Sequence, residues 1–449
     1  MKLLFFAFFL FLGILQADWA FALESQTDSS NSMNYQLTLD EAIRVALANN
    51  PDLAAEGWDV AAARARRDQT AGERLPRLSM VDGYAHNLDV QRLLPVRQSG
   101  DPSILSRDIV SGDLVLSLPV FTGGRLVNQV RAAELLRQAA DHQLARSREE
   151  IVFNVSSVFF SIIAQKHVIE SLEFSRRTLE EHRKRVDALV TAQKAASVDL
   201  MRTEVRLADV AQQLVREKNV MAIQHSALTN FLGLAEHKKP LSLQGELEPW
   251  QKEMVPDFQT ALESALTERG DYLAAKSALE AQGRKVDAAS AGHWPNISIQ
   301  GAYGERWAAG PRIGSGKVLD DIGRIGLALE LPIFEGGRVN ARVQEESANF
   351  AAARERLRKI ELQVRFEIEA ALLNISSSQE RSEAIQKAID QARESLRIEQ
   401  QKYELGKGAI VDVLDAQAAL LESQTNYFRV LAELQTAQAQ LRLATGEEQ

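Results

Sequence analysis

The chain has 449 residues, 52 Lys and Arg against 61 Asp and Glu, a net charge of −9 and no cysteine. The missing thiols exclude disulfide scaffolds, zinc-thiolate sites, cysteine nucleophiles and a lipid-modified N-terminal cysteine. An acidic balance with no basic tract argues against nucleic acid as a partner.

Residues 1–22 read as a secretory signal peptide. Lys2 supplies the positive start, Leu3 to Leu15 is apolar, and Ala20-Phe21-Ala22 fits a small-residue cleavage site. The run is shorter than the ~20 apolar residues a spanning helix needs, so cleavage rather than anchoring is expected. No other long apolar run is evident further on. If the mature protein lives in a membrane, closed β-structure is then its only option.

A first repeat covers residues 35–234. Thr38 followed three residues later by Glu41 is a capping signal, and Ala42, Ile43, Val45, Ala46 and Leu47 form one apolar helix face. Asn49-Asn50-Pro51 breaks this helix and starts a second, which runs to about Glu73. Strands are expected at about 76–88 and 109–121, where Leu78, Met80 and Tyr84, then Leu114, Leu116, Leu118 and Val120, alternate with smaller or polar residues. Gly123-Gly124 ends the strands. From Arg125 to Leu232 there is no glycine or proline, and strong helix formers dominate. Ala195-Ala196-Ser197 divides these long helices, expected over about 125–232, and the first of them should reach about 100 Å at helical rise.

Residues 235–256, with Pro240, Gly245, Pro249 and Pro256, form a linker, and a second repeat fills 257–446. Asp52, Pro76, Ser79 and Tyr84 return 219 positions later as Asp271, Pro295, Ser298 and Tyr303. Leu118-Pro119-Val120-Phe121-Thr122-Gly123-Gly124-Arg125 returns 213 positions later as Leu331-Pro332-Ile333-Phe334-Glu335-Gly336-Gly337-Arg338. Strands are therefore expected at about 295–305 and 323–334, with Ile325, Leu327, Leu329, Leu331 and Ile333 facing one way. Long helices follow at about 338–445, broken at Gly406-Lys407-Gly408. Each short helix pair should stack end to end with the helix returning from its break.

Four strands cannot close. Within lipid every backbone group needs a partner inside the protein, so an open sheet cannot span a bilayer. Small membrane barrels start at about eight strands, so the barrel is shared between two or three chains. Pro76 and Pro295 begin the junction between helix and barrel; Pro119, Gly123, Gly124, Pro332, Gly336 and Gly337 complete it, because proline cannot donate to a ladder and glycine permits a sharp turn. The fold class expected is mainly α with a small β part: a long helical barrel joined to a shared transmembrane β-barrel, in two structural repeats.

These residues carry a resemblance. The stretch Tyr403-Glu404-Leu405-Gly406-Lys407-Gly408-Ala409-Ile410-Val411-Asp412-Val413-Leu414-Asp415-Ala416-Gln417 and the two Leu-Pro-x-Phe-x-Gly-Gly-Arg strand ends resemble the TolC-type channels of the outer membrane efflux protein family, over about 35–446. The resemblance implies a homotrimer with a twelve-stranded barrel embedded in outer-membrane lipid. Below it the helices form a tunnel through the periplasm, whose tip docks onto a periplasmic adaptor (membrane fusion) protein and an inner-membrane transporter. The function implied is the exit duct of a tripartite efflux or type I secretion system.

Family members close the tip with a tyrosine, an arginine and aspartates. Tyr403 and Asp199 match the periplasmic gate, and Asp412 and Asp415 match the pore constriction. The arginine has no counterpart: Gly408 stands there, and neighbouring Lys407 replaces it only if its side chain turns inward. Gln193 stands where the second repeat has its turn glycine, Gly406, so the first tip is expected to differ in shape. The Tyr403 hydroxyl is expected to tie neighbouring helices shut. Asp412 and Asp415 lie three apart on one helix face, and in a trimer they form a ring of six carboxylates favouring cations.

The seven histidines show no metal-ligand spacing, and no phosphate loop or nucleophile elbow occurs, so neither cofactor, metal nor enzyme activity is expected. The competing reading is an exported periplasmic coiled-coil adaptor or scaffold. It explains the signal and the helices but not four alternating strands placed symmetrically between them.

Overall fold

A computed structural model of the chain describes residues 36–95, 104–234, 241–247, 255–315 and 319–447. The expected signal peptide and much of the linker lie outside these residues. From Leu37 onward the elements are α1 (Leu39–Asn49), α2 (Pro51–Gly72), β1 (Arg77–Arg92), β2 (Leu105–Phe121), α3 (Arg125–Thr191) and α4 (Ser197–Phe231). The second half repeats them as α5 (Phe258–Glu268), α6 (Gly270–Ser290), β3 (Asn296–Ala308), β4 (Leu319–Glu330), α7 (Arg338–Glu404) and α8 (Ile410–Thr445). Helices α3 and α7 have 67 residues each, about 100 Å at helical rise.

The short helices are held by end caps that the two halves share in position but not in chemistry. Thr38 and Glu41 form the capping box of α1 at 2.9 and 3.4 Å. Asn50 accepts from the N–H groups of Asp52 and Leu53 at the start of α2, and its Nδ2 donates to the Phe231 carbonyl at the end of α4 at 2.9 Å. Its counterpart Arg269 donates to the Ala444 carbonyl, one repeat after Phe231, at 3.4 Å. Each break thus satisfies a carbonyl left open at the end of the returning helix, which is the end-to-end stacking expected. Arg269 is 1% exposed and also binds Asp271 at 2.7 and 2.9 Å and Glu367 at 2.6 Å. Beside it Arg146 donates to the Leu443 carbonyl at 2.7 Å and pairs with Glu149 and Glu150. Burial pushes the Glu149 carboxyl up, against the pull of Arg146.

One expectation is corrected here. Helix α3 does carry an 18-residue window apolar enough to cross a membrane by composition, and half of that window is buried in the protein. Val155, Phe159, Ile162 and Ile163 pack with Ala42 and Ala46 of α1, Leu228 of α4 and Leu431 of α8. A core helix clasped on several sides reads as apolar all round.

The four long strands form an antiparallel meander in the order β1-β2-β3-β4, and a two-residue strand, Arg312–Ile313, pairs with the start of β2 at Leu105 and Ser106. The register runs Leu78↔Leu116↔Gly301↔Ile325 and Tyr84↔Val110↔Trp307↔Leu319. Because side chains alternate, one face collects Leu78, Met80, Tyr84, Leu114, Leu116, Ile299, Tyr303, Trp307, Ile325 and Leu327. The other collects Ser79, Asp113, Ser117, Gln300, Arg306 and Arg324, with Arg306 bidentate on Asp113 at 2.8 and 2.9 Å. The apolar face is open rather than packed on a core: Ile325 is 79% and Leu327 75% accessible.

Strand ends differ from expectation. β1 and β2 reach further from the helices, to Arg92 and from Leu105. β4 stops at Glu330, so Leu331, Pro332 and Ile333 lie outside it. The reason is register: Glu330 pairs with Asn296, the first residue of β3, and nothing in β3 remains for the next residues to bond. β2 has a partner further along, so it continues through Pro119 to Phe121 with an irregularity between them.

Candidate functional site

The two ends of the long helices carry the candidate site residues. At the sheet end, Pro76 and Pro295 sit immediately before β1 and β3. Gly123 and Gly124 have φ of +61° and +87°, Gly336 and Gly337 +62° and +82°, and each pair turns the chain into a long helix. A Cβ at Gly123 would stand 2.5 Å from Trp294 Cβ, so this turn excludes larger residues on space as well as on dihedral angle. Phe121, Trp294 and Phe334 are exposed at this end, and Tyr84, Tyr303 and Trp307 towards the other. Aromatic belts at both margins of an apolar band are what a membrane barrel presents.

At the tips the two turns are built alike. Lys194 N–H donates to the Leu189 carbonyl and Lys407 N–H to the Lys402 carbonyl, both at 2.8 Å, closing the last turns of α3 and α7. Gln193 has φ +56° and Gly406 +68°. The first tip is therefore not reshaped by its glutamine; the side chain accepts a left-handed backbone that costs it about 1 kcal/mol relative to glycine.

Between the hairpins lies a cavity of about 670 Å³, lined by His182, Arg185, Lys194, Asp199, Tyr403 and Glu404 among others. Tyr403 and Asp199 both line it. Burial, then the charge of Asp199, raises the Tyr403 phenol above its ordinary value. Within one chain the phenol hydroxyl is buried without a hydrogen-bond partner. Packing joins Tyr403 to α3 instead: its ring lies 5.6 Å from that of His182, tilted by 52°. His182 Nε2 is also buried and unpartnered. Burial, then Arg185, pushes the His182 pKa down, and Glu404 opposes them. Arg185 and Glu404 bridge α3 and α7 at 3.3 Å.

A Cβ on Gly408 would stand 2.9 Å from Lys402 Cβ and 3.2 Å from the Tyr403 nitrogen, so an arginine here would require the end of α7 to shift. Lys407 is exposed and does not line the cavity. Asp412 and Asp415 are exposed on the first turns of α8, whose Val413 and Leu414 are buried; neither aspartate lines the cavity. His182 was invisible to sequence reasoning, since a lone histidine among helix formers carries no signal. No group of acidic and histidine side chains able to hold a metal occurs among the described residues.

Comparison with known proteins places this geometry. The model of the family described as Outer membrane efflux protein matches residues 42–234 and 261–447. The outer membrane protein TolC of Vibrio cholerae is 23% identical, covering 91% of this chain and 90% of its own length. The cobalt-zinc-cadmium resistance protein CzcC of Cupriavidus metallidurans is 23% identical over 71% of this chain and 73% of its own. Among solved structures, the CmeC outer membrane channel of Campylobacter jejuni superposes with a TM-score of 0.78 at 17% identity, over 91% of this chain and 85% of that one.

Proposed function

The chain belongs to the outer membrane efflux protein family, and from that premise we propose that it is the exit duct of a tripartite efflux or type I secretion system. It is an outer membrane protein with the mainly helical channel fold of its relatives. Three chains complete the barrel, the helices continue it as a periplasmic tunnel, and the tips meet an adaptor and an inner-membrane transporter. The observation that carries this reading is the four-stranded sheet with one exposed apolar face between two aromatic belts, standing on helices about 100 Å long. An adaptor or scaffold in water has no use for that face, which would be an aggregation hazard.

The tips close the duct. Tyr403 and Asp199 pack the two hairpins of a chain together, and Asp412 and Asp415 of three chains ring the narrowest point. Replacing both aspartates by alanine should leave assembly intact but remove cation preference and block by multivalent cations in planar bilayers. Unchanged selectivity and block in that variant would place the constriction elsewhere.

A further inference from the structure

We propose that His182 is a proton-responsive element of the tip: neutral, it packs against Tyr403 and keeps the hairpins together; charged, it drives them apart. The proposal rests on reading the tip as the closed end of the duct.

The geometry singles out this histidine. Its Nε2 is buried, has no hydrogen-bond partner and sits in the same cavity as the equally unpartnered Tyr403 hydroxyl. The groups facing it come from every packed element. Glu181 and Arg185 lie on its own helix, Lys194 on the tip turn, Asp199 on α4, and Tyr403 and Glu404 on α7; α8 contributes only the uncharged Gln417. Glu404 is already engaged with Arg185, and Lys194 adds a second positive charge to the lining. No carboxylate bonds the imidazole. An imidazolium here would hold its Nε2–H buried with no counter-ion in hydrogen-bond contact, a cost relieved when α3 and α7 separate and water reaches that nitrogen.

The sign follows from the depressed pKa. The closed tip is favoured above the ordinary histidine value of about 6.5 and loses that support as pH falls through and below it. A gap of one pH unit between the His182 pKa of the closed and loosened tips changes the opening equilibrium about ten-fold per chain. Chain symmetry makes the response cooperative, because three tips share one axis in the proposed trimer.

Single-channel conductance in planar bilayers, recorded from pH 8 to pH 5, tests this. The wild-type channel should open progressively on acidification. His182→Phe keeps an aromatic ring without a proton site and should stay at its pH 8 level throughout. His182→Arg carries a fixed charge and should conduct at every pH. His225, whose Nδ1 is likewise buried and unpartnered but which lies outside the tip cavity, serves as control: His225→Gln should keep the wild-type response. Tyr403→Ala, measured at pH 8, separates the two readings. If it raises conductance while His182→Phe retains the wild-type response to acid, the tip is the gate and the proton inference is wrong. If it leaves conductance unchanged, the tip is not the closed end and both fall.

Discussion

Replacing Leu327 by arginine should abolish assembly in the outer membrane, whereas arginine one residue further, at Ala328, should be tolerated. Leu327 pairs with Ile299 on the apolar face and is 75% exposed, so its side chain points where lipid would be. Ala328 pairs with Ser298 on the polar face, which lines the lumen of the proposed barrel. A cationic side chain on the lipid face near the midplane costs about 2–4 kcal/mol, and in the proposed trimer each of three chains bears it. Outer-membrane fractionation with gel mobility of unheated samples reads the result. Equal incorporation of both variants would mean that the sheet does not face lipid.

The second large effect is expected at Arg269. Its guanidinium is almost fully buried and holds Asp271, Glu367 and the Ala444 carbonyl together. Arg269→Ala removes the guanidinium bonded to Asp271 and Glu367, leaving Asp271 only the more distant charge of Arg146, a loss of about 3–5 kcal/mol for a broken buried pair. Asn50→Ala, at the matching place in the first half, removes a neutral cap and should cost only about 1 kcal/mol. Urea unfolding followed by helical circular dichroism ranks the two. The difference should depend on pH. Burial favours the neutral Asp271 carboxyl, but Arg269 overrides it and holds the group below the usual carboxylate range. A lowered carboxylate pKa stabilises the fold above the unfolded value of about 3.9, and the stabilisation is lost as pH falls through the folded one. The deficit of Arg269→Ala should therefore stay large from pH 7 down to about pH 4 and shrink as pH falls below that.

What the sequence made legible, and what it did not, follows from the range of the interactions. The strands and long helices show in the sequence because alternation and the absence of Gly and Pro are local, and because Pro119-x-Phe121 and Pro332-x-Phe334 repeat. The early end of β4 does not show, since it depends on where β3 begins. The repeat sets Gln193 against the turn glycine Gly406, but only the turn geometry reveals that it takes the same left-handed backbone rather than reshaping the tip. The pairing of His182 with Tyr403 joins the two repeats, and no local pattern announces it. The Asn50 and Arg269 caps were similarly hidden: the breaks at these positions could be read, but not the distant carbonyls they satisfy.

In the proposed channel β1 of one chain meets β4 of the next to complete a barrel. Because the chain has no cysteine, a cysteine at Ser79 on β1 combined with one at Arg324, Gly326 or Ala328 on β4 gives an unambiguous report; all four positions lie on the polar face. After mild oxidation of outer membranes, the account predicts disulfides between chains, ending in a covalent product of three. A product that stays a single chain, with its own two cysteines joined, would contradict it.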